Sequence, residues 1–163
     1  MIIITSCIRY EDQLYRPAIT RTNLFDRTHI AASISPMGGG HMERNGVRVW
    51  GAPYSIEISI NSRVKIDAHI IVHDVKMLDR NTMDVIFSYS QPISADFRAT
   101  GDGGSVAEIS VDDVVFPYTE CIIRADISAT GNFGTKRDSI SIPFEKRYRE
   151  YRSNNVWEAL MGI

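Results

Sequence analysis

The sequence predicts an all-β protein, a single antiparallel β-sandwich followed by a short C-terminal helix. Two observations predict it. The aliphatic residues are lopsided: 22 Ile and 11 Val stand against 4 Leu. Branching at Cβ stiffens χ1, which disfavours helices and suits a pleated sheet. The second observation is period-two alternation through the middle of the chain. Apolar residues recur at every other position, the pattern of strands with one face in the core and one in water.

The elements follow in order. Residues 1–27 are expected to be an N-terminal strand or tether, with 28–163 forming the sandwich domain and its helix. The stretch 9–27 is polar and holds Pro17, so a tether or an edge strand is expected there. Residues 33–51 carry Pro36, Gly38-Gly39-Gly40 and Asn45-Gly46, and predict a long flexible loop or a loose hairpin. In 54–61 every even residue is apolar, from Tyr54 through Ile56, Ile58 and Ile60. In 64–72 the even residues Val64, Ile66, Ala68, Ile70 and Val72 are apolar, and Asn61-Ser62 is placed to turn a hairpin between the two runs. Met83, Val85, Phe87 and Tyr89 share one face of the next strand, which Gln91-Pro92 ends.

Gly101-Asp102-Gly103-Gly104 predicts a tight turn between 97–100 and 106–110. Val114-Val115-Phe116 stops at Pro117. Cys121, Ile123, Ala125, Ile127 and Ala129 form another apolar face, and Gly131-Asn132-Phe133-Gly134 turns the chain into Ile140, Ile142 and Phe144. The charged stretch 145–152 reads as a solvated strand or helix face. Asn155 with Glu158 three residues on resembles an N-cap, which places the helix over 156–161 and its end at Gly162. Seven or eight short strands at this spacing predict an immunoglobulin-like or related Greek-key sandwich.

A length of 163 residues suits one domain with its own core. Apolar residues at 44% and charged residues at 23% argue against a disordered chain, and no apolar run is long enough for a membrane-spanning helix. The net charge of −2 argues against a nucleic-acid binder. Basic and aromatic residues do interleave at Lys146, Arg147, Tyr148, Arg149, Tyr151 and Arg152, but Glu145 and Glu150 dilute them.

Candidate chemistry is sparse. His69 and His73 with Asp67 and Asp74 have the residue types of a metal site. On a strand, however, residues four apart are separated by about 13 Å, too far for one ion. Gly38-Gly39-Gly40-His41 has neither the spacing nor the strand-to-helix context of a phosphate loop. Asp112-Asp113 lacks the spacing of a calcium loop. There is no G-x-S-x-G nucleophile elbow, and Cys121 shares the core-facing parity of Ile123 and Ile127. Neither a metal nor a cofactor is expected. Cys7 and Cys121 are read as two thiols, or as one bridge in an oxidising compartment.

Ile4-Thr5-Ser6-Cys7 resembles the lipobox of bacterial lipoproteins, in which an aliphatic and two small residues precede the cysteine that is lipidated. The same residues also read as a first strand, with Ile2, Ile4 and Ile8 on one face. The resemblance implies lipidation at Cys7 and a place in the bacterial periplasm or outer membrane; without it the protein is expected in the cytoplasm. Small lipoproteins of this kind commonly act as binding, secretion-accessory or toxin-immunity modules. The leading expectation is therefore a non-catalytic module of the cell envelope that binds another protein. The second is a cytosolic or virion structural subunit that assembles through sheet edges. The third is a hydrolase on a β-scaffold. The expected contact region is Met37, Met42 and Trp50 around the Gly-rich segment, with the wet face at Arg63, Lys65, His69 and His73.

Overall fold

The computed structural model describes residues 8–42 and 47–153. They form eleven strands and no helix: β1 (Ile8–Pro17), β2 (Thr22–Leu24), β3 (Arg27–Met42), β4 (Val47–Ser62), β5 (Ala68–Asp79), β6 (Val85–Tyr89), β7 (Ile93–Asp96), β8 (Arg98–Ala99), β9 (Ser105–Val114), β10 (Cys121–Gly131) and β11 (Gly134–Ser153). The helix expected over 156–161 lies outside the described residues. All eleven strands belong to one sheet, with a main path β2-β3-β4-β1-β11-β10-β5-β6. The sheet is mostly antiparallel but mixed, because β1 runs parallel to β4 over Arg9–Asp12 and Val47–Trp50.

The polar stretch after residue 8 is a strand rather than a tether over β1. Its whole length pairs with β11, from Ile8↔Ser153 to Pro17↔Phe144, and Arg9–Asp12 pair on their other side with β4. This pairing also places the charged stretch 145–152 in a strand.

Of the two expectations for 33–51, the loop is corrected and the hairpin is found, because β3 and β4 pair antiparallel through it, with Gly38↔Tyr54, Gly39↔Gly51 and Gly40↔Trp50. The glycines here serve close approach rather than flexibility. A Cβ on Gly38 would stand 3.1 Å from the backbone of Gly51.

β4 changes partner midway. Its first residues lie against β1, and Tyr54–Ser62 lie against β9. Pro53, which has no N–H to give to a ladder, sits at the change. The turn expected at Asn61-Ser62 does not form a β4–β5 hairpin, since β5 pairs with β10, β6 and β7 instead. Residues 63–67 are tied down on the way across. The Arg63 amide donates to the His29 carbonyl, the Val64 amide to Ser62 Oγ, and the Ile66 amide to Ser105 Oγ. Val64 is consequently half exposed rather than in the core.

The alternation otherwise decides the core. Ile56, Ile58 and Ile60 of β4, Ile70 and Val72 of β5, Ile123 and Ile127 of β10, and Ile140 and Ile142 of β11 are all buried in one cluster. Burying an aliphatic side chain of this size contributes about 1.5–3 kcal/mol. A bulge at His73 moves the pairing from Ile127↔Val72 to Asp126↔Asp74, so the buried positions switch from even to odd and continue as Val75 and Met77.

Both expected Gly turns form. Gly103 (φ 86°) and Gly134 (φ 79°) take the left-handed conformation that glycine adopts without strain. Gly104 is constrained differently, since a Cβ there would lie 2.5 Å from the Ser62 carbonyl oxygen. Gly104→Ala is expected to destabilise the protein by about 1–3 kcal/mol, as overpacking against backbone does. Gly101→Ala meets nothing within 4 Å and is expected to stay within about 0.5 kcal/mol. Paired thermal melts check the ranking.

Candidate functional site

The seven residues expected to contact a partner fall in three places. Met37 and Trp50 lie on the β3–β4 pair and are 54% and 45% exposed. Both stand on paired backbone, Met37 opposite Ser55 and Trp50 between Gly40 and Asp12. Met42 lies in β3 opposite Arg48. Arg63 and Lys65 are exposed in the β4–β5 connection. His69 and His73 lie on β5, each already engaged. His69 Nδ1 is 2.8 Å from Asp96 Oδ1, and His73 Nε2 is 2.8 Å from Ser128 Oγ.

The His73–Ser128 contact has the spacing of a base and a nucleophile. Ser128 is buried at the bulge, however, so the contact first of all satisfies a hydroxyl held away from water. Nearby, Asp126 is paired across the strands with the Arg137 guanidinium. The hydrogen bond from Arg137, together with the positive charges of Arg137 and Lys76, holds the Asp126 carboxyl below the ordinary carboxylate range. On the other side of the sheet path, Asp12 of β1 is buried and accepts hydrogen bonds from Arg149 Nε (3.1 Å) and Nη2 (2.8 Å) of β11.

Cys121 is fully buried, and burial raises its thiol pKa to about 12. It is therefore protonated and inert at neutral pH. Cys7 lies outside the described residues, and with it the lipidation site.

Sequence reasoning missed a concave polar feature. Register places Asn23 of β2, Ala31 of β3 and Asn61 of β4 in one row. Residues two away along a strand share its face. Arg21, His29 and Arg63 therefore join that row on the solvent side. Together they line a cleft of about 380 Å3, which Thr100 and Asp102 of the β8–β9 turn close from one side. The small side chain of Ala31 leaves the space open. The signal was present as three dispersed pairs, Arg21-x-Asn23, His29-x-Ala31 and Asn61-x-Arg63, but only the register brings them together.

No protein-family model, no curated protein and no solved structure matches this chain.

Proposed function

We propose that this chain is a non-catalytic module that binds another protein, folded as an immunoglobulin-like or Greek-key sandwich and held in the bacterial envelope by acyl chains on Cys7. The sandwich reading is supported by the single core, which gathers β3, β4 and β9 together with β5, β10 and β11. The observation that carries the binding role is the exposure of Trp50 and Met37 on strands rather than on a loop. An exposed Trp held on paired backbone gives a partner a large apolar contact that needs little ordering on binding.

Co-purification from the native host tests it. Trp50→Ala and Met37→Ala are expected to melt within about 1 kcal/mol of wild type, since both side chains are half exposed. They are expected to lose a protein that wild type retains. Equal retention by the variants removes this surface from the account.

The envelope assignment rests on the lipobox resemblance of Ile4-Thr5-Ser6-Cys7. The native protein is expected to carry lipid on Cys7 and to partition with membranes, and Cys7→Ser to abolish both. A native mass equal to Met1 through Ile163 without lipid overturns it. In that case the second reading, a structural subunit assembling through sheet edges, gains ground. It is favoured by the apolar exposure of Val85 on the short strand β6.

A further inference from the structure

We propose that the cleft bounded by β2, β3, β4 and the β8–β9 turn binds a small oxoanionic molecule, a phosphate ester or a polycarboxylate of about monosaccharide size. Its volume of about 380 Å3 lies at the lower end of small-molecule sites and far exceeds the ~30 Å3 of a single water. Two arginines line it, Arg21 and Arg63. Among the described residues neither Arg21 nor Arg63 forms an ion pair with a carboxylate, a state they share with Arg16, Arg27, Arg48, Arg124 and Arg147; what sets them apart is that both line the same cleft. Arginine presents a planar fork of donors matched to carboxylate and phosphate oxygens.

The two arginines stand at opposite ends of the cleft. The Arg63 amide donates to the His29 carbonyl, which places Arg63 at one end. Arg21 precedes the Thr22↔Ala32 pair and therefore marks the other end. The two ends are about four residues apart along β3 and lie on opposite sides of that strand, so the arginine backbones stand roughly 16 Å apart. Long arginine side chains can close over a molecule lying between them. Asn23 and Asn61 flank the middle, and Asn61, whose Nδ2 donates to Ser59 Oγ, keeps its amide oxygen as an acceptor.

Asp102 is the opposing charge. Its carboxylate is occupied by Thr100 Oγ1 and the Gly104 amide, and these hydrogen bonds hold it ionised. It would repel an anion placed against it and accept from a hydroxyl, so it orients the oxygenated part of the ligand. This cleft lies at the opposite end of the β3–β4 pair from Trp50, and the proposal does not depend on the protein-binding reading.

Calorimetric titration of the full chain at low salt with inorganic phosphate, glucose 6-phosphate, citrate and glucose tests the proposal. At least one anion is expected to bind saturably, tighter than about 1 mM. The double variant Arg21→Gln, Arg63→Gln is expected to weaken that binding at least about tenfold while melting like wild type, since both side chains are exposed. Inorganic phosphate binding as tightly as both glucose 6-phosphate and citrate overturns the proposed ligand size. Tighter glucose 6-phosphate or citrate identifies the ester or the carboxylate. No saturable binding of any anion, binding that survives in the double variant, or glucose binding as well as glucose 6-phosphate overturns the proposal.

Discussion

Ile70→Asp and Ile58→Asp are each expected to leave the protein unfolded at ambient temperature. Ile70 is fully buried and Ile58 is 1% exposed, in the same core cluster. The substitution removes about 1.5–3 kcal/mol of apolar burial. It also places a carboxylate among side chains such as Ile56, Val72 and Ile127 that offer it no hydrogen bond, which costs several kcal/mol more. The sum approaches the total stability of about 5–15 kcal/mol that a domain possesses. Neighbours of opposite parity set the scale. Glu57 is exposed beside Ile58, and Lys65 is exposed before β5, so Glu57→Ala and Lys65→Ala should stay within about 0.5 kcal/mol. Circular dichroism and thermal melts read both classes, and a reversed ranking would mean that the faces are assigned wrongly.

Tyr54→Ala is expected to cost about 3–5 kcal/mol, and Tyr54→Phe about 1 kcal/mol. Tyr54 stands where β4 has just left β1 for β9. Its ring is 1% exposed and stacks on Phe116 at 4.6 Å, with Tyr15 edge-on at 5.6 Å. Its hydroxyl donates to the Gln13 carbonyl of β1 at 2.8 Å. One side chain thus ties the end of β9 to β1, and burial pushes its phenol well above the usual range. Deleting the ring empties a packed aromatic cluster, whereas deleting only the hydroxyl leaves the Gln13 carbonyl short of one donor. Chemical denaturation of the two variants separates the packing contribution from the hydrogen bond.

What was legible in the sequence is what depends on local periodicity. The even-numbered isoleucines of β4 and the odd-numbered face of β10 predict the core because alternation is a property of one strand at a time. The Gly103 and Gly134 turns were legible because few residues accept their backbone conformation. Pairing was not legible. Asn61-Ser62 has turn chemistry, yet the amides that follow find partners on His29, Ser62 and Ser105, and the chain crosses to a different neighbour. The three glycines at 38–40 have the composition of a loop, but in β3 Gly38 and Gly39 let the backbone of β4 come close. The cleft was hidden for the same reason. Arg21, His29 and Arg63 are far apart in sequence, and only the β2–β3–β4 register makes them neighbours.

The central claim is that another protein covers the exposed β3–β4 surface, and photo-crosslinking in the native host tests it most directly. A photoreactive residue is placed at Met37, and for comparison at Ser141, which is exposed on β11. The account predicts a discrete adduct with another protein from position 37 and none from position 141. No adduct from position 37, or the same adduct from both positions, would contradict it.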